Sequence, residues 1–402
     1  MREATPTVRV LFSCTGVGIF NRGIESFFRE AFDGLKDTPG MDAWLIKGAG
    51  QPTEREIPVW CLPRTGRLAQ WLGWLFNRNS YAAEQWSSFF SVCRQIRRLR
   101  PHVIFYSDAN LGFQLFFRRK WIGVPYQLLF SNGGPVFAPF DRTDFVHQVA
   151  PLYHAKALEF GEPASKHFMV PYGIQVPPPP VCDPDAKRSL RARFQMPADR
   201  PVVLSVGAIN RYHKRMHYVV EELSRLPEPR PFLQMVGAFD EESPEVMKLA
   251  DRLLGEEGYS VRSVPYREVF DFYRAADIFV LGSLQEGFGR VYMEALMHGL
   301  PVIAHRHPVM EYVLGRHAIF GDLSREGELA ALLSRELQCA PGDKGAGHAR
   351  WESVQTRFSW PALTSQYYGM FRDVFDRSRN HRPVVNASHN FTNRVSLHGT
   401  AS

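Results

Sequence analysis

Four consecutive prolines, Pro177 to Pro180, constrain this chain more than any other feature. Proline fixes φ and lacks a backbone N–H, so the run can continue neither a helix nor a sheet. It makes a stiff linker, and the chain must fold separately on its two sides. Both sides carry the same alternation. Before the prolines, Val8 to Ser13 is a short apolar run of β-formers. The loop Gly16-Val-Gly18-Ile-Phe-Asn-Arg22-Gly23 follows, then apolar residues at helical spacing from Ile24 to Leu35. Further strands are predicted at Ala43–Ile46, Val59–Leu62, His102–Tyr106 and Tyr126–Phe130. After the prolines, strands are predicted at Val202–Val206, Phe232–Val236, Val261–Val264, Ile278–Leu281 and Val302–Ala304. Helices fall between them at Met216–Leu226, Arg267–Ala275 and Arg290–His298. Strands alternating with helices imply parallel sheets, with functional groups gathered at the strands' C-terminal ends.

The expected domains are therefore 1–178 and 179–358. Ser359-Trp360-Pro361 opens a terminal helix over 359–377, and the polar, patternless residues 378–402 read as a disordered tail. With 402 residues, 45% of them hydrophobic, the chain can bury two cores. Its net charge of +7 reads as modest and dispersed, and no nucleic-acid motif accompanies it, so no nucleic-acid partner is expected. The five cysteines (Cys14, Cys61, Cys93, Cys182, Cys339) are odd in number and never spaced as metal or disulfide pairs. A reducing cytoplasm fits them, as does the lack of an apolar leader or of a run long enough to span a membrane.

The strongest chemical signal is Glu286-Gly-Phe-Gly-Arg-Val-Tyr-Met-Glu294, continued by Ala-Leu-Met-His-Gly299-Leu-Pro301-Val. Gly287 and Gly289 allow close approach of backbone to a ligand. A helix starting near Arg290 aims its free N–H groups at the same place, which makes an anion site. Glu294 falls inside a helix that is apolar nearly all round, and a buried carboxylate needs partners. A ligand's hydroxyls would supply them; an Arg290–Glu294 pair at i,i+4 is the plainer alternative. A second signal is Ser205-Val-Gly207-Ala-Ile-Asn-Arg211-Tyr-His-Lys214-Arg215, where a strand delivers a glycine and then cations suited to a diphosphate. Gly16 and Gly18 suggest a fragment of a dinucleotide fingerprint, but the next strand ends near Lys47 with no acid for a ribose, which disfavours NAD.

The chain resembles the family 4 retaining glycosyltransferases, whose hallmark is two glutamates separated by seven residues; Glu286 and Glu294 match it. The resemblance implies the GT-B fold, an α/β architecture of two Rossmann-like domains facing a central cleft, with a C-terminal helix crossing back to the first. It implies that Glu294 binds the donor's ribose, that Glu286 lies near the donor sugar, and that the backbone N–H groups of Gly287, Phe288, Gly289, Arg290 and Val291 hold sugar and pyrophosphate. Arg211 and Lys214 match the cations that neutralise the donor phosphates, Arg215 being a further possibility. Gly207, Gly16 and Gly18 would line the donor site, and Val264, in Val264-Pro265-Tyr266, would meet the base through its backbone. The family often carries a histidine after the strand that ends here at Phe130; this chain has Ser131-Asn132-Gly133. Asn132 can still bond a sugar hydroxyl but cannot act as acid or base, for which Asp108 and His147 are candidates.

What the resemblance implies is a retaining, metal-independent transfer from a nucleotide diphosphate sugar, a co-substrate and not a cofactor. The acceptor would be a hydroxyl on a glycan, lipid or small molecule. A nucleotide-sugar epimerase and a non-catalytic nucleotide-sugar-binding protein are the alternatives. One segment stands apart, Arg64 to Arg78, where Trp71, Leu72, Trp74, Leu75 and Phe76 mix with arginines. They nearly encircle an ideal helix, which favours a core-packed helix; peripheral contact with the inner membrane face is the other expectation.

Overall fold

The computed structural model describes residues 6–380 except 21, 64–65, 76–79, 135 and 339–343. The first domain runs β1 (Val8–Cys14), α1 (Gly23–Leu35), β2 (Met41–Lys47), β3 (Glu56–Pro58), α2 (Arg67–Leu75), α3 (Ser80–Ser87) and α4 (Phe89–Leu99). It continues with β4 (Val103–Tyr106), α5 (Ala109–Phe117), α6 (Arg119–Ile122), β5 (Gln127–Asn132), β6 (Phe145–Gln148), α7 (Pro151–Glu159) and β7 (His167–Met169). After the prolines come α8 (Pro184–Arg193), β8 (Val202–Val206), α9 (Met216–Ser224), β9 (Phe232–Val236), α10 (Ser243–Leu254), β10 (Tyr259–Arg262) and α11 (Tyr266–Ala275). The second domain closes with β11 (Ile278–Val280), α12 (Arg290–Met297), β12 (Val302–His305), α13 (Pro308–Leu314), β13 (Ile319–Gly321), α14 (Glu328–Gln338) and α15 (Lys344–Phe358). α16 (Trp360–Asn380) ends the described chain.

The strands form two sheets, ordered β3-β2-β1-β4-β5-β6-β7 and β10-β9-β8-β11-β12-β13. Every pairing is parallel. Each sheet is wound outward in both directions from its first strand, so a crevice opens at the strand ends of β1 and β4 in one domain and of β8 and β11 in the other. The loops that carry Gly16, Asp108, Lys214 and Glu286 all leave from these four ends.

Two expected strands shift, for one reason. β3 ends at Pro58 and not Leu62, because its partner β2 ends at Lys47, opposite Pro58. The last bond is Val59 N–H to the Lys47 carbonyl, at 2.8 Å. β10 ends at Arg262 and not Val264 because β9 runs out at Val236, opposite Arg262, and it starts at Tyr259, opposite Leu233.

α16 returns to the first domain and packs on α1 and β1. Phe371 meets Phe12 and Phe105 edge-on, at 5.7 and 5.4 Å between ring centres. Burying each such ring stabilises the fold by ~1.5–3 kcal/mol. Helix persists through residues 378–380, three positions the sequence assigns to the tail; the rest of that tail lies outside the described residues. The outgoing and returning crossings lie side by side, with Ile174 N–H bonded to the Phe358 carbonyl at 2.9 Å and a bridge between Ile174 and Ser359.

α2 departs from the expected core helix. Only Ala69 and Gly73 are buried on it. Small residues at i,i+4 let it lie close to its neighbour α3, and Leu68, Trp71, Trp74 and Leu75 point to solvent at 54, 53, 77 and 51% exposure. Arg64, Phe76 and Arg78 of the same segment lie outside the described residues.

Candidate active site

Glu286 stands in the loop from β11 to α12, buried to 9% exposure. Lys214, in the loop after β8, donates from Nζ to Glu286 Oε1 at 2.6 Å. Its stem crosses Gly207, where an added Cβ would sit 3.1 Å from Lys214 Cγ. The glycine is what lets the lysine lie flat across the strand end. Asn210 Oδ1 accepts from Lys214 N–H at 2.8 Å and fixes the loop.

Between Glu286 and α12 the chain turns through Gly289, at φ +77°, a left-handed conformation that suits glycine. No side chain caps α12. Among the described residues, the first backbone N–H bonded back into the loop is that of Tyr292, to the Gly289 carbonyl at 3.0 Å. Among the described residues the N–H groups of 287–291 thus find no acceptor in the loop, and the loop begins at Glu286, the partner of the Lys214 ammonium. That combination binds anions.

Glu294 lies one turn further, 3% exposed. Its partners are not Arg290 but two tyrosines: the hydroxyl of Tyr266 donates to Oε1 and that of Tyr273 to Oε2, both at 3.0 Å. Burial pushes the Glu294 carboxyl upward, while the nearby Arg290 guanidinium and the two hydroxyls pull it back. Each carboxylate oxygen keeps a further lone pair for a ligand hydroxyl. Val264 lies half-buried just before Tyr266, in the turn from β10 to α11.

The first domain closes on this loop. Tyr153 of α7 donates its hydroxyl to the Glu286 carbonyl at 2.9 Å. A Cβ on Gly287 would stand 2.3 Å from the Gly133 carbonyl oxygen, so only glycine permits this approach of the two backbones. Arg290 reaches back across the cleft, bonding Glu30 of α1 at 2.5 Å and the Gly173 carbonyl at 2.9 Å. Its guanidinium is spent on the domain junction, which leaves its backbone N–H for a ligand. Phe288 fills the junction between Tyr172 and Phe358, at 5.5 and 5.8 Å.

Several residues singled out from the sequence are placed elsewhere. Arg211 turns to Glu245 of α10, Nη1 to Oε2 at 3.3 Å, and away from the Lys214–Glu286 pair. Arg215 donates to the carbonyls of Gly282 and Leu323, a tie within the second domain. Asn132 is fully buried. Its amide nitrogen donates to the Val136 carbonyl and to Gln148 Oε1, at 2.9 and 2.8 Å, so it shapes the loop that carries Gly133. Its Oδ1 is buried without a partner. His147 is also sealed in the core, with Nδ1 against Ser131 Oγ at 3.1 Å and Nε2 against the Val170 carbonyl at 2.7 Å. Burial lowers its pKa to about 4, so it is a neutral core residue and not an acid or base of the cleft.

Asp108, at the end of β4, accepts from Thr15 N–H at 2.7 Å and so braces the loop of Gly16 and Gly18. Burial raises its pKa to about 6. In that loop Gly18 has φ +86°, and a Cβ on Gly16 would collide with the Glu25 carboxyl. The start of α1 adjoins Arg290, Gly23 standing 3.8 Å from its Cδ for an added Cβ. The loop therefore borders the same cleft. The sequence gives no sign of Tyr153, Tyr273 or Glu30 as part of this site, since none belongs to a motif, and Tyr153 and Glu30 arrive from the other domain.

Comparison with known proteins bears on the fold and on the second domain. Residues 186–338 match the family described as glycosyl transferases group 1. A D-inositol 3-phosphate glycosyltransferase of Xylanimonas cellulosilytica is 31% identical over 242 residues, 56% of this chain and 54% of that one. A lipopolysaccharide core biosynthesis glycosyltransferase of Rhizobium meliloti is 30% identical over 185 residues, 44% of this chain and 51% of that one. The chain thus spans about half the length of these curated relatives. Among solved structures, a sucrose-phosphate synthase from Thermosynechococcus elongatus superposes with a TM-score of 0.72 at 18% identity, over 92% of this chain and 100% of that one. The Anabaena HepE protein in complex with UDP and glucose does so at 0.68 and 15%, over 91% and 99%. Residues 186–338 are thus similar to the glycosyl transferases group 1 family, and the chain as a whole has the GT-B fold of these solved structures.

Proposed function

We propose that this protein is a retaining glycosyltransferase that moves a sugar from a nucleotide diphosphate donor to a hydroxyl acceptor. The observation that carries the proposal is the Lys214–Glu286 pair set against the uncapped start of α12, with the buried Glu294 one turn on. A diphosphate fits beside the Lys214 ammonium and the N–H groups of 287–291, and a ribose fits Glu294 with Tyr266. As the bond from the anomeric carbon to phosphate loosens, the sugar takes on oxocarbenium character and charge grows on the leaving diphosphate. Fixed donors and a cation aimed at that charge lower the barrier most. The departing phosphate then takes the proton of the attacking acceptor hydroxyl, which enters on the face the phosphate leaves. The bond broken is that from the anomeric carbon to the phosphate oxygen, which leaves with the diphosphate; the bond formed is from the same carbon to the acceptor oxygen, with the configuration kept.

In this reading no step needs a metal, because the ammonium and the helix start carry the charge. UDP and UDP-glucose are bound by the Anabaena neighbour, which supports a nucleotide sugar here. A peripheral contact of the first domain with the inner membrane face completes the proposal, with Trp71 and Trp74 on α2 as its anchors. The test is a panel of nucleotide sugars screened by thermal shift, since a bound donor raises apparent stability by mass action. Stabilising donors are then incubated with acceptors, with and without EDTA, and the product anomer is read by NMR. Retention and EDTA-insensitive transfer are expected. Isomerisation of the donor with no acceptor present indicates an epimerase, and donor binding with no turnover indicates a sensor.

A further inference from the structure

The exposed tryptophans of the described residues gather on one domain. Trp60, Trp71, Trp74 and Trp121 are 65, 53, 77 and 53% exposed. On α2 the large residues face outward and the small ones inward, the reverse of a helix that serves a core. α4 is two-sided in a different way. Val92, Cys93 and Ile96 are buried, while Phe90, Arg94, Arg97 and Arg98 share the outer side. Trp121, on α6, lies over this side, 6.0 Å from Phe89 and 6.2 Å from Phe90. The Arg97 guanidinium stacks on the Trp121 ring at 4.5 Å. α2 packs on α3, and α3 on α4, so rings and cations belong to one side of the domain.

The charge is concentrated there too, which corrects the dispersed basicity expected from composition. Residues 61–122 hold ten lysines and arginines against two carboxylates, Glu84 and Asp108, and both carboxylates are buried. That segment is +8 in a chain of +7, so the other 340 residues sum to −1. Arg67, Arg94, Arg98, Arg100, Arg118 and Lys120 are exposed, and among the described residues none is in an ion pair. Arg119 is the exception, paired with Asp144 at 2.9 Å.

We propose that this face of the first domain docks on an anionic lipid bilayer, with Trp71, Trp74 and their leucine neighbours entering the interfacial layer and the arginines of α4 lying over the headgroups. The proposal deepens the membrane contact given above by naming its extent and its lipid class. Exposed tryptophan and leucine beside unpaired arginine is the composition of an interfacial surface. Each arginine near an anionic leaflet is worth about 1 kcal/mol, about fivefold in partition. A polyanion such as RNA would use the same arginines but would leave Leu68, Trp71 and Leu75 in water.

The test is co-sedimentation of the full chain with phosphatidylcholine vesicles, with and without phosphatidylglycerol, in the absence of donor. Binding is expected only with phosphatidylglycerol, and it should fall as salt rises. Arg94→Gln with Arg98→Gln should lower the partition about 25-fold. Trp71→Ser with Trp74→Ser should lower it about tenfold. Lys248→Gln with Arg316→Gln removes the same charge from the second domain and should change it little. The proposal is overturned by equal binding to neutral vesicles, by an equal loss in the Lys248/Arg316 variant, or by tight binding of RNA with none to vesicles. Should the serine variant melt early, the arginine pair alone decides. Vesicle binding needs no turnover, so failure here leaves transfer to a soluble acceptor standing, and failure of transfer leaves the docking surface standing.

Discussion

Replacing Lys214 by methionine keeps the stem that crosses Gly207 and removes only the charge. The ion pair it breaks is nearly sealed, with side chains 15 and 9% exposed. Removing one partner of a fully buried pair costs about 3–5 kcal/mol, because the other charge is left behind. Residual exposure puts Lys214→Met at the lower end, about 3 kcal/mol. If the loss comes from a stranded Glu286, then Lys214→Met combined with Glu286→Gln recovers most of it. Urea denaturation of the two single variants and the double variant measures this as a coupling. Catalysis is a separate readout. A lysine that stabilises the leaving diphosphate contributes mainly in the transition state, so turnover should fall about 100–1000-fold. A loss confined to KM, with kcat intact, would refute the leaving-group role and leave only ground-state binding. Unchanged stability in the single variant would refute the ion pair itself.

Glu294→Gln should keep the fold, since one tyrosine can still donate to the amide oxygen and the other can accept from the amide nitrogen, and should weaken donor binding by about 1–3 kcal/mol in calorimetry; unchanged affinity removes Glu294 from the ribose. Arg290→Met strands Glu30 at the domain junction, and we expect about 3 kcal/mol of lost stability in urea denaturation; unaltered stability refutes the bridge. Asp108 gives a pH test. Its folded pKa of about 6 lies above the ordinary carboxylate value, so the folded state holds its proton longer than the unfolded one. This contribution to stability falls as pH rises from about 4 through about 6. Asp108→Asn should therefore gain on the wild type across that window, by at most about 3 kcal/mol, read from denaturation at pH 4 and pH 7. His147 runs oppositely, because its folded pKa of about 4 costs stability as pH falls, but it is common to both proteins and cancels. A constant difference between the two proteins would refute the buried, elevated carboxyl.

The architecture was legible because parallel strands buried on both faces are continuous apolar runs, and β1, β8, β9 and β11 are such runs. β6 was not, since His147 and Gln148 interrupt it and its burial comes from neighbours the sequence cannot display. β3 and β10 were misplaced by the lengths of their partners, which are set by pairing and not by composition. At the candidate site, the glutamate spacing and the two glycines single out the loop where Lys214 and Glu286 meet. What they could not reveal is where long side chains go. Arg290 was paired with Glu294 on its own helix as the plainer alternative, yet it finds Glu30, 260 positions away. Arg211 and Lys214 looked equivalent in sequence, and only Lys214 has a glycine beneath it to lie across. α2 was misjudged because helical periodicity counts apolar residues without weighing their size, and here the small ones are buried. The charge of residues 61–122 needed only a count by segment.

The paired crossings at Ile174 and Phe358–Ser359 also bear on how the cleft opens. A single strand between two bodies is a tether and permits them to swivel in any direction. Two strands bonded side by side act like the two leaves of a door hinge and leave one easy rotation. Arg290 touches the Gly173 carbonyl, so the start of α12 sits beside the pin, where a rotation displaces atoms least. Phe288, packed between Tyr172 and Phe358, ties the preceding loop to the same place. A diphosphate held at the helix start, as proposed above, would then stay nearly still through each cycle of opening.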